Sequence, residues 1–463
     1  MGQCFGGKRQ VTSALPNGPL VAWYGDDFTG AAATMEVLTF AGLPSVLFLE
    51  PPTPEQLAGF SNMRGIGVAS TARAQSPQWM QEHLPPVFDW LKSVSAKVAH
   101  YKICSTFDSS PMIGSIGKAI DIAANHFSGP MPVLVAAPAM RRYQAFGTLF
   151  AGSPEGVARL DRHAVMARHP VTPMDEADLR LVLADQTETP VGLITLEDLV
   201  NAERTQKALI RETANGHKVV LLDTVSEADL AKVGQLIWEN ASPDMLAIGS
   251  QGVEYALVAH WRKSRWLEEA PAVSSTGSKQ MIAVSGSTSI ITAAQIEHAA
   301  SHGFATLSLD AAACLGDETA FGAAYQLALM FLAQGRDILI HSATGPNELG
   351  VFQEAAKAAG LSAQDANEKL GANLGRMLRE LLTKTGIKRA AISGGDTSGH
   401  ATRQLGIYAL TALAPTLPGA SLCKAHSNKP DMHGLQLALK GGQMGSEDYF
   451  DWIRQGGGSR RSH

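Results

Sequence analysis

Four stretches of this chain carry side chains whose types and spacing can do chemistry. Asp26 and Asp27 stand together at the end of an apolar run, Leu20-Val21-Ala22-Trp23-Tyr24, and are followed by Phe28-Thr29-Gly30. Two adjacent carboxylates at the mouth of a buried strand orient a substrate hydroxyl, accept its proton, or help hold Mg2+ through water. The competing reading makes Asp27 a helix cap, with Thr29 and Gly30 in the first turn. Adjacent residues point differently, so both roles can hold. The second stretch, Lys102-Ile-Cys-Ser-Thr-Phe-Asp-Ser-Ser110, sets a cation, the hydroxyls of Ser105, Thr106 and Ser109, and Asp108 just past another strand. That mixture suits a small polyhydroxy acid: the cation meets a carboxylate, and the hydroxyls and Asp108 meet the sugar hydroxyls. Arg73, Arg141, Arg142, Arg168 and His169 are further anion-binding candidates, although any single one is more often a solvated charge.

The third stretch is Ala390-Ala-Ile-Ser-Gly-Gly-Asp-Thr-Ser-Gly399, in which an apolar run breaks into a glycine pair and continues into a helix-like segment, His400 to Leu410. A strand, a Gly-rich turn and a helix start present orphan N–H groups and the positive end of a helix dipole, both of which favour phosphate. Thr397 and Ser398 can cap that helix or lend hydroxyls, and the bland alternative is glycines that only supply positive φ. The fourth stretch is a set of similar turns. Ser285-Gly-Ser-Thr-Ser289, Lys440-Gly-Gly-Gln-Met-Gly445 and Ser342-Ala-Thr344-Gly345 each follow a strand-like run. In a parallel sheet the C-terminal strand ends share one edge, where ligands bind.

Several chemistries are excluded. There is no G-x-x-x-x-G-K-[ST] and no G-x-G-x-x-G after a strand, which disfavours P-loop enzymes and dinucleotide oxidoreductases. No G-x-S-x-G elbow supports Ser-His-Asp hydrolysis. His298 and His302 share a helix face, but the Glu of H-E-x-x-H is missing and no third metal ligand is apparent in the sequence. Cys4, Cys104, Cys314 and Cys423 lie far apart and read as reduced thiols. A formal charge of −5 and the absence of a basic block exclude nucleic acid as a partner. Residues 1–17 lack an apolar core and no apolar run is long enough to span a bilayer, so the expectation is a cytoplasmic protein.

These residues need a scaffold of alternating strands and helices. At 463 residues, 45% hydrophobic and 17% charged, the chain is globular and too long for one core. Strand-like runs include Ser45–Leu49, Gly65–Ala69, His100–Cys104, Val133–Ala137, Val191–Leu196, Val219–Asp223 and Met245–Ile248, with helix-like segments such as Ala31–Ala41 and Gln78–Val94 between them. Pro138–Ala151 reads as loop or irregular. The pattern stops at a Pro/Ser/Gly-containing linker and resumes with Met281–Val284, Phe304–Leu309, Asp337–His341, Arg389–Ile392, Leu422–Ala425 and Leu435–Leu439. The expected fold class is α/β: two domains, each with a mostly parallel sheet flanked by helices, and the active site in the cleft between them. The expected divisions are a flexible extension over 1–18, a substrate domain over 19–262, a linker over 263–279, a nucleotide-binding domain over 280–455, and a flexible tail over 456–463.

The motifs together resemble the four-carbon acid sugar kinase family. The resemblance rests on Asp26-Asp-Phe-Thr-Gly-Ala31, Lys102-x-x-Ser-Thr-Phe-Asp-Ser109, His169-Pro-Val-Thr-Pro-Met174, Ser285-Gly-Ser-Thr-Ser289, Gly394-Gly-Asp-Thr-Ser-Gly399 and Leu437-Ala-Leu-Lys-Gly-Gly442, in the family's order across nearly the whole chain. It implies ATP-dependent phosphorylation of the 4-hydroxyl of a four-carbon sugar acid. ATP would lie on Ser285, Gly286, Ser287, Thr344, Gly394, Gly395, Asp396, Thr397, Gly441 and Gly442, with Mg2+ held mainly through its phosphates. The acid would lie against Asp26, Asp27, Arg73, Lys102, Ser105, Thr106, Asp108, Ser109, Arg142 and His169, and Asp27 or Asp396 would take the proton. A homodimer is a further expectation of the resemblance. This chain has Asp396 where many relatives have Glu, and Gly441-Gly-Gln-Met-Gly445 where many have a Ser-Gly-Asn-Phe-Gly type of sequence. Arg141 to Gly147 also departs from the Pro-Glu-x-Gly-Arg type of the 3-oxo-tetronate enzymes. The last departure leans the expectation towards D-threonate or D-erythronate, with 3-oxo-tetronate and a non-catalytic sugar-acid binding protein as alternatives.

Overall fold

The computed structural model describes residues 14–153, 155–169, 171–343 and 347–460. Most of the expected extension, the last residues of the tail and the Thr344 assignment lie outside the described residues, as does the side chain of Asp396. Short, wholly buried apolar strands such as Val219–Leu222 alternate with helices that cover both sheet faces. Three antiparallel joints interrupt the parallel order, and with them one 15-stranded sheet runs through the described residues.

Its nucleotide-side block runs Ala305–Ser308, Ile338–His341, Ile282–Ser285, Arg389–Ser393 and Gln436–Lys440, all parallel. Leu422–Ser427 and Ile407–Ala414 follow antiparallel. The substrate-side block then begins with Ser45–Phe48 and continues through Gly65–Ala69, Val21–Gly25, Val98–Lys102, Leu246–Gly249, Met131–Leu134 and Val219–Leu222 to Val191–Ile194. The expectation of a separate sheet in each domain is therefore corrected: Leu47 and Phe48 pair with Leu410 and Ala409 and fuse the two. The two parallel blocks run in opposite senses across this seam.

Two further expectations are corrected. The helix after the glycine pair is Gly395–Gln404, and Ile407–Ala414 is a strand. Gly406, at φ +65°, ends the helix, and the alternating apolar residues after it suit the sheet. Pro138–Ala151 is no loop either. Arg142–Ala145, Thr148–Ser153 and Gly156–Arg159 form a small antiparallel sheet above the substrate block.

The seam also holds a buried carboxylate. Glu36, on helix Phe28–Phe40, accepts hydrogen bonds from the Gly419 N–H (2.7 Å) and the Ser421 N–H (2.9 Å) of the other lobe. Burial pushes its pKa from 4.5 to about 7, against the pull of those two bonds. A raised carboxylate pKa contributes stability that is complete below the unfolded value and is lost as pH rises through the folded one. The unfolding midpoint should accordingly fall between pH 5 and 8, by an amount worth on the order of 3 kcal/mol. Glu36→Gln should flatten that dependence in a thermal melt series.

Candidate active site

The two carboxylates that follow Val21–Gly25 divide their work. Asp26 is buried, and both its oxygens accept from Arg73: Oδ1 from Nη2 at 2.6 Å and Oδ2 from Nε at 3.2 Å. Burial raises the Asp26 pKa, partly countered by the Arg73 charge. Burial also works against the guanidinium, but the Asp26 and Asp27 charges outweigh it and hold Arg73 protonated. Backbone bonds fix the group, since Asp26 N–H donates to the Lys102 carbonyl and Arg73 N–H to that of Asp26 (both 2.9 Å). Asp27 caps helix Phe28–Phe40, its Oδ1 taking the Gly30 N–H (3.1 Å) and Arg73 Nη2 (2.6 Å). The other Asp27 oxygen has no partner among the described residues. Capping and a free carboxylate oxygen therefore coexist in one side chain.

Lys102 reaches the same place. Its Nζ is buried, donates to the Ile103 carbonyl (2.6 Å), and lies beside Gly30, where an added Cβ would run into both Asp27 Oδ1 and Lys102 Nζ. In the following loop, Thr106 donates to Asp108 Oδ1 (2.7 Å) and contacts Cys104 Sγ (3.0 Å). Burial pushes the Cys104 thiol up to about 11, so it is a neutral group and no nucleophile. Ser109 is a brace, donating to the Phe107 carbonyl and accepting from Gln186 (both 3.0 Å). Ser105 is half-buried in this loop. His169 is spent on a turn, its Nδ1 3.1 Å from both the Thr172 N–H and hydroxyl, and among the described residues it is not bonded to the Asp26–Arg73 cluster.

Arg142 stands on the small sheet near the neutral Cys104 thiol and near Asp108, whose charge reaches it. Its Nη1 donates to the carbonyls of Met140, Arg141 and Gly152, while its buried Nε has no partner. A guanidinium with Nη1 tied to backbone and a buried Nε without a partner keeps donor capacity for a carboxylate. Asp223, which sequence reasoning missed, holds this hairpin: it accepts from the N–H groups of Phe146 (2.5 Å) and Gly147 (2.9 Å) and from Gln144 Nε2 (3.3 Å). A lone Asp after an apolar strand gave no signal of that reach.

The glycine-containing turns converge on a cavity of about 500 Å³, within the range for small-molecule sites. Gly286, Ser287, Thr288 and Ser289, then Gly394, Gly395 and Thr397, then Gly442 and Gln443 line it, with Ser342 and Ala343 from the fourth turn. Their packing explains the glycines. A Cβ on Gly286 would overlap the Thr397 hydroxyl, and one on Gly442 would overlap that of Ser287. The hydroxyls of Ser285, Ser287 and Ser289 each accept an N–H two residues on, which fixes the loop and caps helix Ile290–Ser301. Ser285 and Gly441 are not among the lining residues; Ser285 lies beneath the loop as its first anchor. Phe352, Leu370 and Asn367 supply a wall that sequence reasoning missed, because their helices carry no polar motif.

The metal reading of His298 and His302 needs one correction. Asp451 supplies a third side chain, with its Oδ2 3.4 Å from His298 Nε2, and the three candidate ligand atoms lie within 4.8 Å of one another.

Comparison with known proteins agrees with this division of labour. Residues 21–257 match the family model described as a sugar-binding N-terminal domain, and residues 282–450 that of a nucleotide-binding C-terminal domain. The chain is 44% identical over 454 residues to a 3-oxo-isoapionate kinase of Paraburkholderia graminis, covering 96% of each chain. It is 28% identical to a 3-oxo-tetronate kinase of Cupriavidus necator, covering 97% of this chain and all of that one. A crystal structure of a Salmonella typhimurium LT2 protein superposes with a TM-score of 0.76 at 27% identity, over 93% of this chain and 98% of the other.

Proposed function

This chain belongs to the four-carbon acid sugar kinase family, and from that premise we propose that it phosphorylates a hydroxyl of a short 3-oxo sugar acid. It is an ATP-dependent sugar-acid kinase. The acid would sit against Asp27, Lys102, Asp108 and Arg142, and ATP in the cavity of the glycine turns, with Phe352, Leu370 and Asn367 facing the base. The departure at Arg141–Gly147 favours an aldonate, but the names of the relatives carry more weight and favour a 3-oxo acid, the branched 3-oxo-isoapionate first and 3-oxo-tetronate second. The single observation that carries the acid-binding half is the unpartnered Nε of Arg142, on a guanidinium that feels the Asp108 charge.

Catalysis in such a site is mainly positioning and charge neutralisation. The free Asp27 oxygen would take the proton of the attacking hydroxyl, while Asp26 and Arg73 hold Asp27 in place. Mg2+ would neutralise charge on the ATP phosphates, held chiefly by those phosphates. Asp27 and Gly394 follow strands six places apart in the sheet, about 29 Å at ~4.8 Å per strand along a straight sheet. Closure of the lobes about the two-pair seam at Leu47–Phe48 would bring the two sites together. The seam contact between Gly419 and Thr29 lies beside the Asp27 turn. No described helix is long and apolar enough to cross a membrane.

Arg142→Gln tests the acid-binding half. It keeps a polar side chain but loses the fork, so KM for the acid should rise roughly 10- to 100-fold, the loss of one charge-assisted pair, with KM for ATP unchanged. An unchanged KM for the acid would remove Arg142 from the site.

A further inference from the structure

Directly behind the phosphate turn lies a charge that the reading above does not use. Lys440 ends the strand Gln436–Lys440 and is fully buried. Its Nζ donates to Thr292 Oγ1 (3.2 Å) and to the Gly441 carbonyl (3.2 Å), and Thr292 in turn donates to the Gly442 carbonyl (2.8 Å). Thr292 is in the first turn of helix Ile290–Ser301, so the ammonium sits at the positive end of that helix. Among the described residues no carboxylate lies within ion-pair distance of Nζ.

Among the described residues, the groups facing Nζ are uncharged. Helix Ile290–Ser301 offers Thr292, the neighbouring strand Arg389–Ser393 pairs Ser393 with Lys440, and the C-terminal helix places the Tyr449 ring 5.8 Å from Nζ. Burial pushes the Tyr449 phenol far above its ordinary range, so it is neutral too. A buried cation against a helix N-terminus, with no counter-ion among the described residues, is unfavourable in the free protein, and burial lowers its pKa to about 7. An anion in the adjacent cavity, lined by Gly442 and Gln443, removes that penalty.

We propose that Lys440 is a positioning residue of the nucleotide site: its ammonium, linked through Gly441 and Thr292 to the Gly441–Gly442 turn, is completed by the nucleotide phosphates, and Nζ takes up a proton from solvent as they bind. The proposal rests on the nucleotide reading of the cavity and adds to it the linkage of binding to protonation.

Calorimetric titration of ADP into the full chain at pH 7, in PIPES and in Tris, reads the proton uptake from the difference in heat between buffers. The wild-type protein should take up about half a proton per ADP, falling as the pH is lowered to 6. Lys440→Met, which keeps the length and removes the charge, should lose the uptake and weaken ADP at least tenfold, with KM for the acid unchanged. ADP binding without buffer dependence in the wild type would overturn the proposal and leave the nucleotide site standing. Uptake and affinity unchanged in Lys440→Met would overturn it equally. A wild-type protein that binds no ADP would overturn the nucleotide site, and the proposal with it. The wild-type measurement stands whether or not the variant folds.

Discussion

Asp27→Asn should lower kcat by roughly 10²- to 10⁴-fold, the range for loss of a general base, with ADP affinity unchanged within about twofold. The two carboxylates are distinguishable on geometry. Both oxygens of Asp26 are engaged by Arg73 in a buried fork, which leaves Asp26 poorly placed to reach a substrate hydroxyl. Asp27 uses only Oδ1, for the Gly30 N–H and Arg73, and keeps its other oxygen. Asn caps helices about as well as Asp, so helix Phe28–Phe40 should form in the variant and its melting temperature should move little. The substitution then removes the base and one of the two charges facing Arg73, and nothing else. Turnover and ADP titration on the same preparation decide the matter. Undiminished turnover would take Asp27 out of the base role.

The second large effect is expected at Gly394→Ala. Gly394 has φ +121°, outside the range that an L side chain adopts comfortably, and its backbone lies between two of the converging turns. Its N–H donates to the Lys440 carbonyl (3.0 Å) and its carbonyl accepts from the Ser398 N–H (2.9 Å). A Cβ there would lie 2.8 Å from the Thr397 hydroxyl and 3.5 Å from the Ser287 N–H. Strain of this kind costs on the order of 1–3 kcal/mol, and the loop relieves it by moving away from its neighbours. ADP affinity should fall at least tenfold, while affinity for the acid, governed by residues of the other lobe, should hold. Equal losses for both ligands would mean that the substitution unfolds the protein, and no loss of ADP affinity would mean that the turn does not carry phosphate.

Much of the architecture is written in local pattern. The apolar runs ending at Gly25, Lys102, Ser285 and Ser393 are strands, and the polar turns after them carry the chemistry, because side-chain periodicity and glycine punctuation act over a few residues. What was not legible depends on distant partners. Leu47 looks like any strand residue and Leu410 like the end of a helix, and their pairing makes one sheet of two. Glu36, in the midst of an apolar helix, becomes a seam residue only through Gly419 and Ser421, nearly four hundred positions later. Asp223 and the Arg142 hairpin meet the same way, and Asp451 reaches His298 from the far end of the chain. Lys440 reads as the first residue of a glycine turn, and only the packing reveals a buried charge without a counter-ion among the described residues. The Asp27 question, cap or base, ends with one carboxylate oxygen committed to the cap and the other open.

The central claim is phosphoryl transfer from ATP to a short 3-oxo sugar acid, and ADP release tests it most directly. With Mg2+ and ATP, a coupled ADP assay across 3-oxo-isoapionate, 3-oxo-tetronate, D-threonate and D-erythronate should show substrate-dependent turnover, with kcat/KM highest for a 3-oxo acid. Turnover confined to D-threonate or D-erythronate would contradict the substrate assignment, and ADP release no greater than the acid-free background with every acid would contradict the account as a whole.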